Sequence, residues 1–110
     1  HVGDLDGASA PGKNKRWDAT VSILVHDADH AAVTGAAVSG RWSEGYTSPV
    51  TCVTDSAGWC SLTLAGLKDT TVQVTFTVED LLLSGTAYQP AGNHDPEPDS
   101  NGTSIVVSKP

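Results

Sequence analysis

The chain has 110 residues, a length that suits one domain, and a formal net charge of −7 from 13 acidic and 6 basic residues. This acidic balance repels phosphate and argues against nucleic acid as a partner. No apolar run approaches the length of a membrane-spanning helix, so we expect no membrane partner. The abundance of Thr, Val, Ser and Gly is typical of a β-rich, turn-rich protein.

Alternation of apolar and polar residues predicts a series of short strands. It is clearest over residues 17–26, where Trp17, Val21 and Ile23 share one parity and are expected to face the core. Further strands are predicted over residues 1–10, 36–42, 50–54, 59–64, 71–78, 81–88 and 103–108. Without any sustained helical period, this pattern predicts a single all-β domain over residues 1–110. We expect an immunoglobulin-like antiparallel β-sandwich of seven or eight strands.

The strand predicted over residues 71–78 has the most regular apolar face. Val72, Val74, Phe76 and Val78 alternate with polar residues and are expected to point inward together. The acidic pair that follows is predicted to end this strand. Three consecutive leucines then begin the next one, and they fit a strand only if both of its faces are covered.

The two cysteines flank a turn signal at residues 55–58. If those residues form the turn of a hairpin, Val53 faces Trp59 and Cys52 lies directly across from Cys60, at a Cα separation of about 4.5–5.5 Å that a disulfide can span. We therefore predict a hairpin closed by its own local disulfide, in an oxidising, extracellular compartment. Two free thiols in a cytosolic protein are the alternative. A metal site is disfavoured because a second pair of ligands is missing nearby.

The aromatic residues suggest a carbohydrate site. Trp59 has the opposite parity to its buried neighbours and is expected to share an exposed face with Ser61 and Thr63. An exposed indole ring is a suitable platform for a sugar ring, with polar groups fixing its orientation. Trp42 and Tyr46 are candidate helpers. Alternatively, Trp59 covers the hairpin or packs on a neighbouring domain, and Trp42 belongs to the core or its rim.

Two groups of oxygen-bearing side chains make calcium a candidate cofactor. Asp4 and Asp6 form one acidic pair, and Asp95, Asp99 and Asn101 belong to an oxygen-rich loop. Calcium takes six to eight oxygen ligands, often from such loops, although the spacing here is not that of an EF-hand. The alternatives are charge complementarity with a basic loop and plain solvation.

The sequence offers no persuasive catalytic group. The segment from His26 to His30 superficially resembles a zinc-protease helix motif, but it lacks the glutamate and follows a predicted strand. Residues four apart do not share a face there as they would on a helix. A polar loop is the better interpretation. A Gly-x-Ser-x-Gly elbow is also missing from the sequence. We therefore predict that the chain is not an enzyme.

Several segments resemble known bacterial proteins. Residues 54–58 resemble the T-D-x-x-G turn of bacterial Ig-like domains of the invasin/intimin kind, and residues 25–38 are similar to the segment that precedes it, except that Ala32 stands where proline is common. Residues 1–7, the cysteine pair and residues 93–96 with 99–103 together resemble the C-terminal accessory module of secreted bacterial hydrolases, peptidases among them.

The resemblance implies a β-sandwich accessory domain in the extracellular space and transfers no catalytic residue to this chain. We therefore expect a monomeric, non-catalytic module of a secreted bacterial enzyme, whose partner is a polysaccharide or the parent enzyme's catalytic domain. The alternative is a structural or adhesive spacer that contacts other protein domains. An exposed Trp59 beside polar side chains favours sugar, whereas an apolar patch without it favours protein packing.

Overall fold

The structure, a computed structural model, describes residues 1–27, 29–43, 49–82 and 102–110. These ranges contain seven strands and no helix, as the alternation of apolar and polar residues predicted. The strands are β1 (Val2–Pro11), β2 (Arg16–Val25), β3 (Ala37–Trp42), β4 (Val50–Val53), β5 (Trp59–Lys68), β6 (Gln73–Leu82) and β7 (Ser104–Ser108).

The strands form two antiparallel sheets. One has three strands in the order β1-β2-β5, and the other has four in the order β4-β3-β6-β7. This arrangement confirms the predicted immunoglobulin-like sandwich. In an antibody constant domain the fourth strand belongs to the sheet of the first two, whereas here β4 pairs with β3 and lies in the other sheet.

The core lies between the two sheets. Along β2, buried and half-buried residues alternate strictly, because successive side chains of a strand point to opposite faces. Buried residues from β1, β3, β5, β6 and β7, with Ala36 just before β3, complete a continuous apolar interior. Its buried members are Val2, Leu5, Trp17, Ala19, Val21, Ile23, Val25, Ala36, Val38, Trp42, Cys60, Leu67, Val74, Phe76, Val78, Leu81, Ile105 and Val107.

Two aromatic side chains meet in this core at a position that depends on glycine. Trp42 packs edge-to-face on Phe76, with ring centroids 5.1 Å apart. Gly40, at a register shift between β3 and β6, makes room for that ring, since a Cβ at this position would overlap Phe76 and the carbonyl oxygen of Thr77. Trp42 therefore belongs to the core, which the sequence had left open.

The disulfide between Cys52 and Cys60 is confirmed, with a Cα separation of 5.8 Å over eight positions of the chain. The predicted hairpin around it is wrong. Cys52 lies opposite Val38 in the four-stranded sheet, and Cys60 lies opposite Ile23 in the three-stranded sheet. The disulfide is thus local in sequence but joins the two sheets of the sandwich. It also indicates an oxidising compartment.

The turn before β5 directs the chain from one sheet to the other. The carboxylate of Asp55 accepts hydrogen bonds from the backbone N–H groups of Ala57 and Trp59, at 2.9 and 3.1 Å. Gly58 has a φ of 84°, a left-handed conformation that favours glycine. Trp59 consequently pairs with Leu24, and the expected contact with Val53 across a hairpin is not formed.

The sixth strand differs from its prediction at both ends. Val72 precedes it and is 67% exposed, so it does not join Val74, Phe76 and Val78 on the inner face. The strand also continues through the acidic pair to Leu82, because an irregularity opposite β3 accommodates one extra residue. Residues 83–88 of the predicted following strand lie outside the described residues.

We expect removal of the disulfide to lower the free energy of unfolding by about 2–3 kcal/mol. In the loop-entropy model, a closed loop of this length restricts the unfolded chain by about that amount. The double variant Cys52→Ser and Cys60→Ser should therefore unfold at a lower urea concentration while keeping its far-UV circular dichroism spectrum. A midpoint equal to that of the oxidised protein would contradict this expectation.

Candidate functional site

The solvent-facing side of the three-stranded sheet carries a polar surface that we call the outer face. Strand register arranges it in three rows, each crossing β1, β2 and β5. The rows are Asp4–Leu24–Trp59, Asp6–Ser22–Ser61 and Ala8–Thr20–Thr63. The inward side chains of the same strands alternate with them and fill the core, so the outer face is separate from the hydrophobic interior.

Hydroxyl groups line the middle of the outer face. The hydroxyls of Ser22 and Ser61 lie 3.2 Å apart, and those of Thr20 and Thr63 lie 3.1 Å apart, both within hydrogen-bond distance. These cross-strand pairs place all four side chains on one side of the sheet. The predicted sharing of a face by Ser61, Thr63 and Trp59 is therefore confirmed.

Trp59 lies at one end of the outer face and is half-buried. Its backbone is fixed on both sides, since its N–H donates to the side chain of Asp55 and its carbonyl oxygen accepts from the Asp55 N–H at 2.9 Å. On its strand, alternate residues are separated by about 6.7 Å, so Trp59, Ser61 and Thr63 span about 13 Å. That length accommodates an extended ligand lying along β5.

The two predicted helpers of Trp59 are not brought to the outer face. Trp42 is 5% exposed and is enclosed by the core, so it offers no ring face to a ligand, and its assignment to a binding site is corrected here. Tyr46 lies outside the described residues. Of the predicted aromatic residues, Trp59 alone is placed by the described structure at a solvent-facing position.

The acidic pair predicted to bind calcium lies on β1, at the edge of the outer face. Asp4 is buried opposite Leu24, and Asp6 is half-buried opposite Ser22, with both side chains on the same side of the strand. The other proposed ligands, Asp95, Asp99 and Asn101, lie outside the described residues. Calcium binding by these five residues stays a prediction.

Three histidines lie close together where β1 begins and β2 ends. His1, His26 and His30 each offer one ring nitrogen, and these atoms lie within 4.8 Å of one another. The three imidazoles pack edge-to-face, with ring centroids 5.1–5.8 Å apart. We call this group the histidine cluster. His26 continues the parity of Ser22 and Leu24, so the cluster follows the Trp59 row at the end of the outer face.

Backbone hydrogen bonds hold the members of the histidine cluster. The amino nitrogen of His1 donates to the carbonyl oxygen of His26, and the backbone N–H of His26 donates to the carbonyl oxygen of His1, both at 2.9 Å. The carboxylate of Asp27 accepts from the N–H groups of Asp29 and Ala31, which closes a tight turn. His30 is in that turn, with a φ of 61°. Burial lowers the pKa of the His1 amino group, and the nearby Asp27 charge partly opposes this change.

Sequence reasoning missed the histidine cluster. It considered His26 and His30 only as a helical motif and assigned no role to His1. His26 and His30, four residues apart, can share a site because the turn at Asp27 folds the chain back on itself. The antiparallel pairing of His26 with Ala32 shows this reversal. The signal available in the sequence was a histidine pair around Asp27, a residue type that favours turns.

Fold and surface together define an immunoglobulin-like β-sandwich with a polar outer face and a histidine cluster at its end. Comparison with known proteins finds no matching family model, no matching curated protein and no matching solved structure. The resemblance to invasin/intimin-type modules therefore stays a prediction. Among the described residues there is no helix long and apolar enough to cross a membrane.

Proposed function

We propose that this chain is a non-catalytic accessory module of a secreted bacterial enzyme and binds a neutral polysaccharide through the outer face. The observation that carries the proposal is the position of Trp59, half-exposed at the end of a surface of hydroxyl groups. An indole ring stacks on the C–H groups of a sugar while hydroxyls exchange hydrogen bonds with the sugar hydroxyls.

The charge of the protein supports a neutral ligand. The chain carries a net charge of −7, and the half-buried Asp6 borders the outer face. An acidic polymer would therefore be repelled, whereas carboxylates accept hydrogen bonds from sugar hydroxyls. The disulfide between the sheets agrees with activity outside the cell, where insoluble or large polysaccharides are substrates of secreted enzymes.

Replacement of Trp59 by Ala is expected to weaken polysaccharide binding at least about tenfold, because an aromatic platform contributes much of the buried contact area. Calorimetric titration with a panel of soluble neutral polysaccharides, with and without calcium, measures this loss. Intrinsic fluorescence gives a second readout in the unsubstituted protein, since Trp17 and Trp42 are buried in the core.

The control variant is Val53→Ala, which changes an exposed side chain of the other sheet and should bind as the unsubstituted protein does. Equal binding by both variants and the unsubstituted protein would place the sugar elsewhere. The absence of saturable binding to any polysaccharide of the panel would contradict the proposal.

A second candidate function is contact with another protein domain, and an apolar row on the four-stranded sheet favours it. Val53 and Leu82 both lie opposite Ala37 in the strand register, and they are 61% and 58% exposed. Exposed neighbouring apolar residues often mark a protein-contact surface. Under this function, the module would have no affinity for polysaccharides and would bind its parent enzyme's catalytic domain through this row.

A further inference from the structure

We propose that the histidine cluster, formed by His1, His26 and His30, is a binding site for a transition-metal dication of borderline softness, Zn²⁺ or Cu²⁺. The ligands are the three imidazole nitrogens, so the proposal does not involve the amino group of His1. The site is independent of the carbohydrate-binding proposal, because it uses different residues and a different class of ligand.

The separation of the three rings matches metal coordination. Three imidazoles on one tetrahedral ion at a metal–nitrogen distance of about 2.0–2.1 Å have ring centroids about 5.2 Å apart. The centroids in the histidine cluster are 5.1, 5.8 and 5.8 Å apart. The ligand nitrogens lie within 4.8 Å of one another and would be about 3.3 Å apart on one tetrahedral ion, so binding requires the rings to turn toward the ion.

The backbone presents the three rings before any ion arrives. The two hydrogen bonds between His1 and His26 fix these residues side by side, just before β1 and just after β2. The turn closed by Asp27 places His30 against them, and the N–H of His30 donates to the Asp27 carbonyl oxygen at 3.0 Å. A site whose ligands are already positioned binds with a smaller loss of conformational entropy.

Gly3 provides the space that the ring of His26 occupies. A Cβ on residue 3 would overlap the Nδ1, Cε1 and Cγ atoms of that imidazole. Gly3 is also the residue at which the register of β1 against β2 shifts. The irregular start of β1 and the absence of a side chain at residue 3 together let the His26 ring lie over the backbone, with its centroid 5.8 Å from those of His1 and His30.

Ligand chemistry and exposure define what the site accepts. Imidazole suits zinc and copper, whereas calcium and magnesium prefer oxygen ligands. His30 is exposed, while His1 and His26 are half-buried, so an ion can enter from solvent on the side of His30. Three protein ligands leave a fourth position for water or for a group from another molecule, as in zinc sites that are not purely structural.

The test is calorimetric titration of the disulfide-intact protein with Zn²⁺ and, separately, with Cu²⁺. We expect saturable binding of one ion per chain and a rise in Tm of at least about 5 °C at a hundredfold excess over the dissociation constant. His30→Ala should weaken binding at least about tenfold for either ion. Because this side chain is exposed, the variant should fold, which its Tm without metal verifies.

Two further variants make the assignment specific. Gly3→Ala keeps all three histidines but displaces the ring of His26, and it should also weaken binding at least about tenfold. His94→Ala removes the fourth histidine of the chain and should bind as the unsubstituted protein does. Absence of saturable binding of both ions, or binding that survives His30→Ala unchanged, would overturn the proposal. A loss in His94→Ala as large as in His30→Ala would overturn the three-histidine assignment.

Discussion

Replacement of Trp17 by Ala is expected to lower the free energy of unfolding by about 3–5 kcal/mol, the range for deleting a large aromatic side chain from a core. Trp17 is 1% exposed, and its indole N–H donates to the carbonyl oxygen of Thr71 at 2.9 Å. The ring thus fills the interior and ties β2 to the segment before β6. For a domain of this size the loss corresponds to a fall in Tm of about 15 °C, measurable by calorimetry.

Two other substitutions separate packing from hydrogen bonding in this prediction. Trp17→Phe keeps a ring in the core but removes the donor, and we expect it to cost about 1–3 kcal/mol. Trp59→Ala makes the same chemical change on the half-buried outer face and should cost less than half as much as Trp17→Ala. Equal losses at the two tryptophans would contradict the assignment of Trp17 to the core.

The strands themselves could be predicted because a period of two is a local property of the sequence. The alternation expected over residues 17–26 corresponds to β2 at Arg16–Val25, and the parity of Ser61 and Thr63 relative to Trp59 is as expected. Where the pattern ends, the prediction weakens. Val72 has the correct parity but precedes its strand, so nothing in the alternation distinguished it from Val74.

The partition of strands between sheets could not be predicted from the sequence. A turn at residues 55–58 serves equally well in a hairpin and in a connection between two sheets. The choice depends on whether β5 pairs with β4 or with β2, and the pairing of β2 with β5 is a contact between distant segments of the chain. The cysteine pair did not decide it, since a Cα separation near 5.8 Å is suitable for a disulfide in either arrangement.

The histidine cluster was missed for a similar reason. His1 and His26 are 25 residues apart and become neighbours only through the pairing of β1 with β2. His30 joins them through the turn at Asp27, whose geometry depends on side-chain hydrogen bonds rather than on any period. The polar rows of the outer face, by contrast, follow from alternation within single strands, so part of the candidate carbohydrate site was accessible to sequence reasoning.

Thr54, the first residue of the turn segment 54–58, makes buried hydrogen bonds whose loss has a large expected effect. Thr54 is 4% exposed, and its hydroxyl accepts from the Ala36 N–H at 2.9 Å and donates to the Val33 carbonyl oxygen at 2.6 Å. Thr54→Val preserves the shape of the side chain but leaves both backbone groups without this partner. We expect a loss of about 3 kcal/mol, since each such buried group costs about 1–3 kcal/mol.

Urea unfolding of three variants measures the contribution of this hydroxyl group. Thr54→Ser keeps the hydroxyl and should retain most of the stability, losing about 1 kcal/mol for the missing methyl group. Thr63→Val removes an exposed hydroxyl from the outer face and should change stability by no more than about 0.5 kcal/mol. If Thr54→Val were as stable as Thr63→Val, the hydroxyl of Thr54 would not hold β4 to the 33–36 segment. The turn over residues 54–58 would then depend on Asp55 and Gly58 alone.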